Sequence, residues 1–257
     1  MVCISEVQAL FPFVEPARQM LQIVNIIRAS FTRIAGRLVP CTGDADAALW
    51  DTLKGAAHAL RECAAGAATF LGALAAFVRA VAACFTVDGA GMTKQVAQIG
   101  EAFKAFADGL AGFLGACGRA VAILDDLDGR ITDTLMYPRA VRGLVLGAWV
   151  PLVRKCCAVR LSPRAVMLTT GRDELRALRV TVIEFSGLAH FIKACSFDAF
   201  MKIRFSDDVL KEIRARSCYW RAATECAVGV IITDLNKTSR ETMNASKQIS
   251  WQVSGFW

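Results

Sequence analysis

The amino-acid sequence predicts a mostly helical α+β protein: an N-terminal antiparallel four-helix bundle built on a long helical hairpin, followed by a small α+β domain. Three observations carry that expectation. From Leu49 to about Leu135 apolar residues recur at alternating steps of three and four. The stretch Val87-Asp88-Gly89-Ala90-Gly91 interrupts the pattern, and beyond Ser162-Pro163 the spacing shortens towards two. A period of about 3.5 marks helices packed through one seam, and a period of two marks a half-buried strand.

Residues 1–15 form a short apolar lead containing Pro12, and Pro16 suits the first turn of a helix. Met20, Val24, Ile27, Phe31, Ile34 and Leu38 then line one face of a first amphipathic helix that ends at Pro40. Asp44, Asp46 and Asp51 favour the positive end of the next helix. Its seam runs Leu53, Ala56, Leu60, Cys63, Ala67, Phe70, Leu74, Phe77 and Val81. After the glycine-rich turn the returning arm carries Ile99, Phe103, Phe106, Leu110, Phe113, Cys117, Ala120, Leu124, Leu127 and Ile131. Opposite that seam lie Ala105, Gly109, Gly112, Gly115 and Gly118, not charges. Each helical glycine costs about 1 kcal/mol against Ala. The stripe therefore predicts close approach of another backbone, first of all one from the same chain.

The hairpin is expected to end near Tyr137-Pro138, with a fourth helix over 138–157 and strands over 165–170, 177–185, 201–205 and 227–233. Short helices over 187–195 and 206–218 complete the second domain. The domains read as 1–160 helical bundle, 161–234 α+β domain, and 235–257 a polar tail ending in Trp251, Phe256 and Trp257.

Charge is confined. Residues 135–180 carry a net +7, equal to that of the whole chain. Arg139, Arg142, Arg154, Lys155, Arg160, Arg164, Arg172, Arg176 and Arg179 supply it. A local arginine excess points to an anionic partner, a membrane surface or nucleic acid. Cys156 and Cys157 sit beside this belt, where acylation would anchor it.

The ten cysteines include no C-x-x-C pair, so a zinc ribbon or thioredoxin-type motif is not expected. The N-terminus, with Glu6 and Glu15, is not a secretory signal, and an intracellular chain with reduced thiols is expected. The sequons at Asn236 and Asn244 point the other way, but lie in a Ser/Thr/Asn-rich stretch where chance matches are common. His58 and His190 alone give acid–base chemistry few carriers. No Walker A loop, dinucleotide fingerprint or zinc-protease motif occurs, and Asp125-Asp126-Leu127-Asp128-Gly129 fails as a calcium loop, leaving an acidic helix surface.

No cofactor, metal site or catalytic residue is expected. The function expected is a non-enzymatic matrix- or scaffold-like protein that self-associates or binds a helical partner and holds an anionic membrane surface. A nucleocapsid-like nucleic-acid binder and an integral membrane hairpin are the alternatives.

Overall fold

The computed structural model describes residues 13–41, 47–83, 92–146, 163–205 and 217–254. For 92–93, 96, 136–146, 198–205, 217–227 and 250–254 the backbone alone is described. Five α-helices result: α1 (Val14–Leu38, closed by a 3-10 turn at Val39–Cys41), α2 (Ala47–Ala83), α3 (Met92–Leu146), α4 (Pro163–Phe205) and α5 (Ser217–Ser254). Among the described residues there is no strand.

The α+β expectation is therefore overturned. α4 covers the segments expected as strands over 165–170, 177–185 and 201–205, and α5 covers 227–233 together with most of the polar tail. The reason is visible at Leu178, Val180 and Val182, whose alternation resembled a strand. Leu178 and Val182 are seam residues four apart, buried at 1 % and 0 %, whereas Val180 between them is 51 % exposed. α3 also continues through Pro138 to Leu146, because a proline removes one backbone hydrogen bond without always ending a helix. Of the expected fourth helix, only 138–146 lies within α3, and 147–157 lies outside the described residues.

All five helices bury a seam stepping by three and four. In α4 it is Leu168, Gly171, Leu175, Leu178, Val182, Phe185, Ala189, Ile192 and Ser196. In α5 it is Val228, Ile231, Leu235, Thr238, Thr242, Ala245 and Ile249. Sustained steps of this kind favour left-handed supercoiling of packed helices.

Pairings along the helices fix the topology. Cys63 meets Cys117 and Glu62 meets Arg119, so α2 and α3 are antiparallel. Phe113 meets Phe185, Phe103 meets Phe197 and Asp128 meets Arg172, so α3 and α4 are antiparallel. Arg37 meets Glu174 while Arg164 donates to the Cys41 carbonyl, making α4 and α1 antiparallel. Arg18 pairs with Asp234 and Arg28 donates to Gln248, so α1 and α5 run parallel. The five described helices alternate in direction along the chain, and the principal contacts close the ring α1, α4, α3, α2, α5. A ring with an odd number of alternating helices must contain one parallel pair, and α1 with α5 is that pair.

Among the described residues one core spans all five helices. Its aromatic part joins α2, α3 and α4. Phe70, Phe77, Phe103, Phe106 and Phe113 stack through centroid separations of 5.1 to 6.1 Å, and Phe113 lies 4.8 Å edge-on to Phe185. On the other side α5 presents Thr and Ser to the alanine-rich face of α2, where Ser239 donates to the Ala68 carbonyl at 2.8 Å. Small residues on both sides let these helices lie close.

Candidate interaction surface

The outer surface of α3 and α4 differs from the rest of the bundle. On α3, Gly112 and Gly118 face open space, and Gly115 meets only the end of Arg119. Gly109 alone of the predicted stripe packs within the chain, with the position of a Cβ 3.6 Å from the Phe70 Cα. Among the described residues nothing of the same chain covers Gly112 or Gly118, and only Arg119 of α3 itself reaches Gly115. The seam turns towards α2 and α4, the helices that pack against α3 among the described residues. Ala105, Ala111 and Ala122 are likewise exposed.

α4 exposes Val166, Met167, Val180, Ile183, Phe191 and Phe197, each between 40 and 51 %. The Phe197 ring lies 5.9 Å from that of Phe103. Among the described residues three helical stretches, Ala47–Ala83, Ala97–Leu135 and Pro163–Phe197, are long and apolar enough to cross a membrane. Their apolar character is used differently. In α2, 56 % of the most apolar window is buried inside the bundle, against 33 % in α3 and 28 % in α4. α2 is apolar because it is the most deeply buried of the three, whereas α3 and α4 turn much of their apolar surface outwards.

The arginine belt divides. Arg154, Lys155, Arg160, Cys156 and Cys157 lie outside the described residues, and Arg139 and Arg142 stand on α3 with only their backbone described. The other four turn towards the bundle. Arg172 contacts Asp128 at 2.9 Å and Arg176 at 3.3 Å, Arg179 pairs with Asp125, and Arg164 donates to the Cys41 carbonyl at 2.9 Å. Glu174, on α4 itself, is held by Arg37 at 3.2 Å. The acidic run 125–128 is thus the counter-charge of the belt, a partnership between segments more than 40 residues apart in sequence.

Burial of Asp128 opposes its charged form, but hydrogen bonds from Arg172 and Arg176 outweigh that and hold the carboxyl below its ordinary value. An Asp with a depressed folded pKa stabilises the bundle fully above the unfolded value near 3.9 and loses that contribution as pH falls through the folded value. Thermal melts should therefore show Asp128→Asn less stable than the parent at neutral pH. The two curves should converge below about pH 4. Parallel curves down to pH 2 would contradict the pairing.

His58 lies 3.2 Å from Glu62, which also takes Arg119, in an exposed cluster. His190 is exposed, and five helical residues separate it from Cys195 by about 140° around the axis, too far round for a nucleophile–base pair. Among the described residues no group of three metal-ligating side chains occurs. The sequon hydroxyls of Thr238 and Ser246 are buried in α5, at 7 and 1 % exposure. No protein-family profile, curated protein or solved structure matches the chain.

Proposed function

We propose that the protein is a non-enzymatic structural protein that works by association, and that a second copy of the chain occupies the outer face of α3 and α4. The observations that support this reading are the exposed Val180, Ile183 and Phe191 on α4 and the open Gly112 and Gly118 on α3, the helix α4 packs against. Knobs and a shallow groove on one face are self-complementary under a two-fold axis. Large apolar side chains left half exposed favour a partner over water.

Sedimentation velocity on the full chain tests it. The parent is expected to sediment as an oligomer at micromolar concentration. The double variant Val180→Glu, Phe191→Glu should sediment near 27.8 kDa with unchanged helicity. A parent that stays monomeric at the highest concentration at which it is soluble would sink the proposal.

An anionic membrane surface is the second reading, favoured by the outward apolar character of α3 and α4 next to the half-exposed Arg176 and Arg179. Flotation with anionic and neutral vesicles distinguishes it, since preference for anionic vesicles that fades with salt is the expected signature. The nucleic-acid reading has weaker support, because the outward apolar character of α3 and α4 suits a bilayer and offers nothing to a phosphate backbone.

A further inference from the structure

We propose that Cys63 and Cys117 form an oxidation site, at which an intramolecular disulfide staples α2 to α3. Their Sγ atoms lie 3.1 Å apart on facing seam positions, and the two residues are 0 and 2 % exposed. A disulfide has its sulfurs about 2.05 Å apart, so closure needs a movement of about 1 Å. The surrounding packing already brings the backbones together. Gly66, one turn from Cys63, would place a Cβ only 3.2 Å from the Phe113 Cα, and Gly109 sits against Phe70 on the far side of the same interface.

The oxidant is a peroxide or a small-molecule disulfide. With hydrogen peroxide, one thiolate attacks a peroxide oxygen to give a sulfenic acid and hydroxide, which takes up the released proton as water. The second thiol then displaces a second water from the sulfenic sulfur, so two thiols and one peroxide give one disulfide and two waters. With a small-molecule disulfide, two successive exchanges release two small thiols.

The neighbouring Cys117 and burial both push the Cys63 thiol up, so thiolate is scarce in the closed bundle. The staple therefore forms when the hairpin opens or while it folds, and is slow to reduce once closed.

Tryptic mapping of the full chain provides the test, because residues 62–79 and 105–119 are separate peptides with one cysteine each. Refolding from urea with a mixture of oxidised and reduced glutathione removes burial as a barrier. After alkylation of remaining thiols, the two peptides are expected as one species lighter than their sum by two hydrogens, split by a phosphine reductant. The oxidised protein should melt about 10 °C higher than the reduced one, and this gain should vanish in Cys63→Ala, Cys117→Ala. Alkylated 62–79 and 105–119 peptides after that refolding, or either cysteine linked elsewhere, would overturn the assignment.

Discussion

Replacing Phe113 with Ala is expected to cost about 4 kcal/mol of unfolding free energy, within the range for truncating a large core aromatic. The ring is 0 % exposed and stands where three helices meet. It lies 6.1 Å from Phe70 of α2 and 4.8 Å from Phe185 of α4, while its own backbone touches the position opposite Gly66. Truncation removes the transfer energy of the ring and leaves a cavity lined by other rings, which are too stiff to collapse into it. Aromatic edge contacts worth about 0.5 to 1.5 kcal/mol are lost as well. Urea titration of the reduced monomer measures the effect. Phe191→Ala is the control: at 51 % exposure it should change the monomer by about 0.5 kcal/mol or less. A loss below about 1 kcal/mol at Phe113 would mean that the aromatic column does not hold α2, α3 and α4 together.

The first three helices were legible in the sequence because their seams are filled by large side chains. Phe31, Leu53, Phe70, Phe106 and Leu124 stand out from their surroundings. The last two were not legible, for a physical reason that differs between them. On α4 the seam includes Gly171, Ala189 and Ser196, while Val180 and Ile183 lie outside it, so hydropathy alone blurs the two faces. On α5 the seam is closed by Thr238, Thr242 and Ala245, small residues that fit against the alanines of α2 but carry almost no hydropathy signal. A search for three-and-four steps that counts Thr, Ser, Gly and Ala as seam residues finds both.

The surface divides in the same way. The glycine stripe of α3 is plain in the sequence, but the exposed apolar residues of α4 are obscured by the alternation of Leu178, Val180 and Val182. The charge belt misled for a different reason, since local counting cannot see that Asp125 and Asp128 fold back onto Arg172, Arg176 and Arg179.

The glycines supply a second large effect, with a sign that depends on position. At Gly66 a methyl would sit 3.2 Å from the Phe113 Cα, an atom of the backbone that cannot swing aside. α2 and α3 must part by a few tenths of an ångström along their best-packed stretch. Overpacking of this kind costs about 1 to 3 kcal/mol, more than the roughly 1 kcal/mol that Ala gains over Gly in a helix. Gly66→Ala should therefore destabilise the monomer.

At Gly112 and Gly118 the methyl meets nothing within 4 Å, so only the helix-propensity gain remains. The double variant Gly112→Ala, Gly118→Ala should be more stable by about 2 kcal/mol. If a second copy packs its α4 knobs against this stripe, the same two methyls fill the groove and weaken association while they strengthen the fold. Opposite changes in urea midpoint and in dimer dissociation constant, measured on one variant, are the signature of an interface that holds its glycines for contact. A variant that gains stability and associates as tightly as the parent would show that the open stripe serves no partner of this chain.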